Sequence, residues 1–124
     1  MKKTVMIVDD QPGIRLLLEE ILKMEGYDIK TAENGKEALD KIIDDPPDLL
    51  LLDYKLPIMD ASALLHQLED KGIKVPAILM SGLAEQIEGK KKEFTMVEEI
   101  FAKPFNIDDA RERVNRILAE NNGN

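Results

Sequence analysis

The chain has 124 residues, no cysteine and a net charge of −8, with 44% hydrophobic and 34% charged side chains. Disulfides, thiolate metal sites and cysteine nucleophiles are excluded, and so acidic a chain lacks the basic footprint that nucleic-acid phosphates require. The length fits one domain with its own core, and with no apolar run beyond strand length and no signal-peptide core after Met1-Lys2-Lys3, a cytoplasmic location and no membrane contact are expected.

Thr4-Val5-Met6-Ile7-Val8 reads as a strand covered on both faces, ended by the acidic pair Asp9-Asp10. Pro12 suits the first turn of a helix, where its missing N–H costs nothing, and Ile14, Leu17, Leu18, Ile21 and Leu22 recur at helical spacing up to Gly26. Tyr27 to Thr31 predicts a shorter strand. Asn34-Gly35 is a turn signal, followed by a helix on Ala38, Leu39, Ile42 and Ile43 that Pro46-Pro47 stops. Asp48 to Leu52 predicts a central strand leading into Asp53. Leu64, Leu65 and Leu68 carry a third helix ended by Gly72.

Val75 to Met80 predicts a fourth strand, with Pro76 tolerable only near its start, and Ser81-Gly82 closes it. A helix over roughly Ala84 to Lys92 follows, its Lys90-Lys91-Lys92 run reading as a solvated face, then a strand over Val97 to Phe101. The last helix sets Ile107, Ala110, Val114, Ile117 and Leu118 on one face. Residues 1–120 form the expected domain and 121–124 a frayed tail. Strands alternating with helices imply an α/β fold: a five-stranded parallel sheet with helices on both faces.

The unusual polar residues fall at strand ends: Asp9 and Asp10 after the first, Asp53 after the third, Ser81 after the fourth and Lys103 after the fifth. In open α/β sheets ligands bind outside those ends, so these residues should converge. Three carboxylates at close quarters repel one another and need a compensating cation. Mg²⁺, a hard ion that accepts one or two carboxylates and a phosphate oxygen, meets that need. Lys103 adds a fixed positive charge and Ser81 a hydroxyl, an arrangement suited to moving a phosphoryl group between oxygens. Asp53, ionised at neutral pH, is the natural nucleophile.

Taken singly, these features fit turns and helix caps. Together with the runs Met6-Ile7-Val8-Asp9-Asp10, Leu51-Leu52-Asp53-Tyr54-Lys55-Leu56-Pro57 with Met59-Asp60, and Phe101-Ala102-Lys103-Pro104-Phe105, they resemble the signature blocks of response-regulator receiver domains. The resemblance implies a doubly wound, flavodoxin-like sheet of strand order 2-1-3-4-5. It makes Asp53 the phosphoacceptor and gives the metal Asp9, Asp10, Asp53 and the backbone carbonyl of Lys55. It assigns Lys103 and Ser81 to the phosphoryl group and a cis peptide to Lys103-Pro104. It also implies a phosphoacceptor rather than an enzyme in the usual sense.

Within the family, the runs Asp9 to Arg15 and Phe101 to Asp108 are similar to those of stand-alone receivers in sporulation-type phosphorelays. That likeness implies a monomer without an output domain, phosphorylated by a sensor histidine kinase and relaying to, or signalling by phosphorylation-dependent binding through, a protein partner such as a histidine phosphotransferase. Its docking surface would comprise Gln11, Gly13, Ile14, Arg15, Leu17, Pro104, Phe105 and Ile107.

Departures from the family pattern are Ile58 and Ala61 where glycine is frequent, Ser81 for the commoner Thr, and Ile100 at an aromatic switch position. Two other readings compete. A haloacid-dehalogenase-type phosphatase would need an acid where this chain has Lys55, and a degenerate receiver would bind partners without phosphorylation. His66, the single histidine, reads as structural or superficial rather than as a phosphohistidine.

Overall fold

The computed structural model describes residues 2–82 and 89–122. Five parallel strands, β1 (Thr4–Val8), β2 (Asp28–Ala32), β3 (Leu49–Asp53), β4 (Ala77–Ser81) and β5 (Val97–Ala102), lie side by side in the order β2-β1-β3-β4-β5. Among the described residues five helices connect or follow them: α1 (Pro12–Met24), α2 (Gly35–Asp44), α3 (Ala61–Asp70), a single turn α4 (Lys90–Glu93) and α5 (Ile107–Asn122). The expected doubly wound sheet and its strand order are what the chain adopts.

Side-chain alternation along each strand divides the core in two. Val5, Ile7, Leu49, Leu51, Ile78, Met80 and Phe101 face α1 and α5, packing on Leu18, Leu22, Ala110, Val114, Ile117 and Leu118. Met6, Val8, Leu50, Leu52, Ala77 and Leu79 face the other way, onto Ala38, Leu39, Ile42, Leu64, Leu65 and Leu68 of α2 and α3. Strand β3 is buried at all five positions, which is why its sequence is a run of leucines rather than an alternation.

Helix boundaries follow the local signals. Pro12 opens α1; Gly26 at φ 94° and Gly72 at φ 72° follow α1 and α3 in the left-handed region that terminates helices without a Cβ penalty. Several limits differ from expectation. Asp48 lies outside β3 and accepts the Thr4 amide at 2.8 Å, bracing β1 from below. Val75 and Pro76 precede β4, Pro76 giving its carbonyl to Leu50 at 2.9 Å. Helix α5 runs to Asn122, past the expected start of a tail. Most of the helix expected over Ala84 to Lys92 lies outside the described residues.

Two expected core residues are half-exposed: Leu17 and Ile43, at 43% and 48%. Lys91 and Lys92 are solvated, whereas Lys90 folds back, pairing with Glu93 at 2.9 Å with its ammonium 6.0 Å from the Tyr54 and Phe94 rings. His66 is exposed and packs edge-to-face on Phe94.

Candidate functional site

Register builds the site. Val8 pairs with Leu52, so one residue further along, Asp9 stands beside Asp53. Asp53 pairs with Met80 and Ser81 with Ala102, which carries the β4 end and Lys103 to the same edge. Asp9, Asp10 and Asp53 each offer a carboxylate oxygen within 4.8 Å of the others. The Lys103 ammonium lies 2.9 Å from Asp9 Oδ2 and 3.4 Å from Asp53 Oδ1. Asp10, Gln11, Asp53, Lys55, Ser81, Gly82 and Lys103 line an open recess of about 310 Å³. Among the described residues, Asp9, Asp53 and Ser81 are the polar ones buried in the otherwise apolar interior.

Burial pushes the Asp53 carboxyl above the ordinary carboxylate range, and the Asp9 charge pushes it further, while Lys103 pulls it back. One ammonium therefore does not offset three carboxylates. An oxygen-liganded divalent cation would, and the donor set of hard oxygens on one open edge fits Mg²⁺. Asp9, Asp10 and Asp53 are the groups that could hold it, and Lys55 lines the same recess.

Each polar atom of Asp9 has a partner. Its amide donates to Ala32 at 3.1 Å, its carbonyl accepts Arg15 Nη1 at 2.6 Å, Oδ1 accepts the Gln11 amide at 2.9 Å, and Oδ2 takes Lys103. The loop after β3 is held differently. The Met59 amide donates to the Pro57 carbonyl at 2.7 Å, a γ-turn that forces the central Ile58 to φ 69°. Ile58 is 82% exposed, so nothing packed compensates this strained conformation. Behind it, the Gly35 amide donates to Met59 O at 3.1 Å, and a Cβ on Gly35 would meet that oxygen at 2.1 Å. The Asn34-Gly35 signal thus marks a helix start, with Asn34 capping the Glu37 amide, and a close backbone approach. At Ala61, where the family often has glycine, the chain enters α3, capped by Asp60.

Beside the recess lies an apolar groove of about 480 Å³ formed by Gln11, Ile14, Leu17, Lys103, Pro104, Phe105 and Ile107. It gathers six of the eight residues expected at a docking surface. Gly13 is exposed on the first turn of α1 outside the groove lining, and Arg15 turns inward. Lys103-Pro104 is cis, as the resemblance implied. Ile100 packs against the core face shared with α2 and α3. No helix among the described residues is long and apolar enough to cross a membrane.

Residues 5–115 match the response regulator receiver domain family model. The chain is 40% identical over 120 residues to Sporulation initiation phosphotransferase F of Bacillus subtilis (strain 168), covering 95% of each. It is 32% identical to the Alkaline phosphatase synthesis transcriptional regulatory protein PhoP of the same organism, but spans only 49% of that protein. Among solved structures it is similar to the Francisella response regulator 1452 receiver domain, with TM-score 0.86, 30% identity and 97% and 99% of the two chains covered. It is also similar to response regulator TrrA of Thermotoga maritima in complex with Mg(2+)-BeF, at TM-score 0.81, 34% identity and coverage of 94% and 99%. Sequence, sheet order and the acidic edge all lead to one assignment: the chain belongs to the response regulator receiver domain family.

Proposed function

We propose that the chain accepts a phosphoryl group from a sensor histidine kinase onto Asp53 and relays it to a histidine phosphotransferase; the name of the B. subtilis relative calls that protein a phosphotransferase. The observation that carries this reading is the adjacency of two surfaces. The acidic recess around Asp53 and the apolar groove share Gln11 and Lys103, so a partner helix seated in the groove could present a histidine to Asp53. The reaction needs little beyond positioning and charge. An Asp53 oxygen attacks phosphorus and the P–N bond breaks. The electron pair returns to the imidazole nitrogen, and transfer to the second partner runs the same steps in reverse. Lys103 balances charge on the phosphoryl oxygens, and Ser81 supplies a hydroxyl at the β4 end. A bound Mg²⁺, held by Asp9, Asp10, Asp53 and the Lys55 carbonyl, would supply the remaining positive charge.

Acetyl phosphate with Mg²⁺ tests the acceptor. Intact-mass analysis should show one added phosphoryl group on the native protein and none on Asp53→Asn; a native protein that gains no mass ends the reading. Phe105→Ala separates docking from chemistry. It should slow transfer from a purified sensor kinase or to a histidine phosphotransferase while leaving acetyl phosphate labelling near the native rate.

A further inference from the structure

Arg15 belongs in sequence with the groove residues around it, yet its side chain is only 16% exposed and is absent from the groove lining. It reaches instead the carbonyl of Asp9 at 2.6 Å, a short, charge-assisted contact to a residue with no exposed surface. Its other nitrogen, Nη2, lies 3.4 Å from Glu33 Oε1. Glu33 is itself held, its amide donating to Glu37 Oε1 at 2.7 Å, and Glu37 pairs with Lys41 at 3.3 Å. The guanidinium thus bridges the end of β1 to the loop before α2.

We infer that Arg15 is a positioning residue for the cation site, acting through the peptide that joins Asp9 to Asp10. This rests on the reading of that pair as metal ligands. The carbonyl Arg15 holds is part of the same rigid peptide plane as the Asp10 amide, so turning one turns the other. Asp9 is fixed by burial and by its other hydrogen bonds, whereas Asp10 is exposed. What aims the Asp10 carboxylate into the recess is therefore the orientation of this peptide, and Arg15 sets it. Loss of an outer group that orients metal ligands typically costs roughly 10–100-fold in metal affinity. A planar fork suits the task because its two spaced terminal nitrogens reach the carbonyl and Glu33 separately, where a lysine would offer a single nitrogen.

Mg²⁺ should be titrated calorimetrically into the native protein and into Arg15→Gln, Arg15→Met and Arg15→Lys, with thermal melts of each metal-free protein alongside. Arg15→Gln and Arg15→Met should bind Mg²⁺ roughly tenfold more weakly or worse. Arg15→Lys should fall between them and the native protein, and affinity should drop in variants that melt like the native chain. Native affinity in whichever variants fold overturns the inference. A native protein that binds no Mg²⁺ would bring down the cation site itself, a different result from equal binding by native and variant proteins.

Discussion

Two segments flank Asp53 and are held in opposite ways. On one side Asp9 is buried and has a hydrogen-bond or ion-pair partner at its amide, its carbonyl and both carboxylate oxygens. On the other, the loop from Lys55 to Asp60 is largely solvent-exposed, carries Ile58 at a positive φ, and is tied back through the Gly35–Met59 backbone contact. The first segment is fixed by side-chain chemistry and the second by backbone geometry that surrounding structure imposes. Damage to the two should therefore look different. Losing a partner on the Asp9 side leaves buried charge uncompensated, whereas disturbing the loop changes strain and shape without changing charge.

The largest effect is expected from Lys103→Met. It leaves Asp9 buried without its ion pair and three carboxylates unopposed, and should destabilise the metal-free protein by about 3 kcal/mol in urea melts. Added Mg²⁺ should recover more stability in this variant than in the native protein. Equal Mg²⁺ effects in the two would mean that Lys103 and the cation do not share a task.

Gly35→Ala tests the loop side from behind. Its new Cβ would overlap the Met59 carbonyl, against backbone that has no flexible side chain to yield. A cost of about 2 kcal/mol is expected, with amide shifts concentrated in residues 55–60. Shifts confined to α2 would show that the contact does not shape the loop.

Ile58→Gly acts in the other direction. Glycine accepts φ 69° freely, and strain relief should outweigh the entropy it adds to the unfolded chain, for a gain of up to about 1 kcal/mol. Destabilisation instead would mean that the exposed isoleucine is not strained where it sits.

The smallest effect sharpens the comparison at its centre. The Asp53 pKa is raised in the folded protein, so the native state binds that proton more tightly than the unfolded chain does. Native stability should then fall as pH rises from the ordinary carboxylate value through the raised one. Without metal, Asp53→Asn should melt above the native protein at neutral pH, the difference vanishing below the ordinary carboxylate pKa. A pH-independent difference would remove burial as its cause.

Much of this was legible along the chain. The strand end at Asp9-Asp10, the leucine run before Asp53 and the Lys103-Pro104 step identify themselves, because periodicity and turn chemistry are local properties. The limits at Asp48 and Pro76 were not, since each residue is recruited by a neighbouring strand rather than by its own propensity. Leu17 matched the apolar period of α1 but lies toward the groove at the edge of the buried stripe, a distinction that helical spacing alone does not make.

Arg15 and Gly35 show the deeper limit. Their neighbours in sequence suggested a surface residue and a turn, yet their roles depend on the Asp9 and Met59 carbonyls, on segments 6 and 24 positions away. The alternation of elements, the two-faced core and the acids, lysine and serine at the strand ends follow from residue type and period alone. Which carbonyls those side chains and amides meet is settled in three dimensions, because parallel register and helix packing, not proximity along the chain, bring distant backbone within hydrogen-bonding reach.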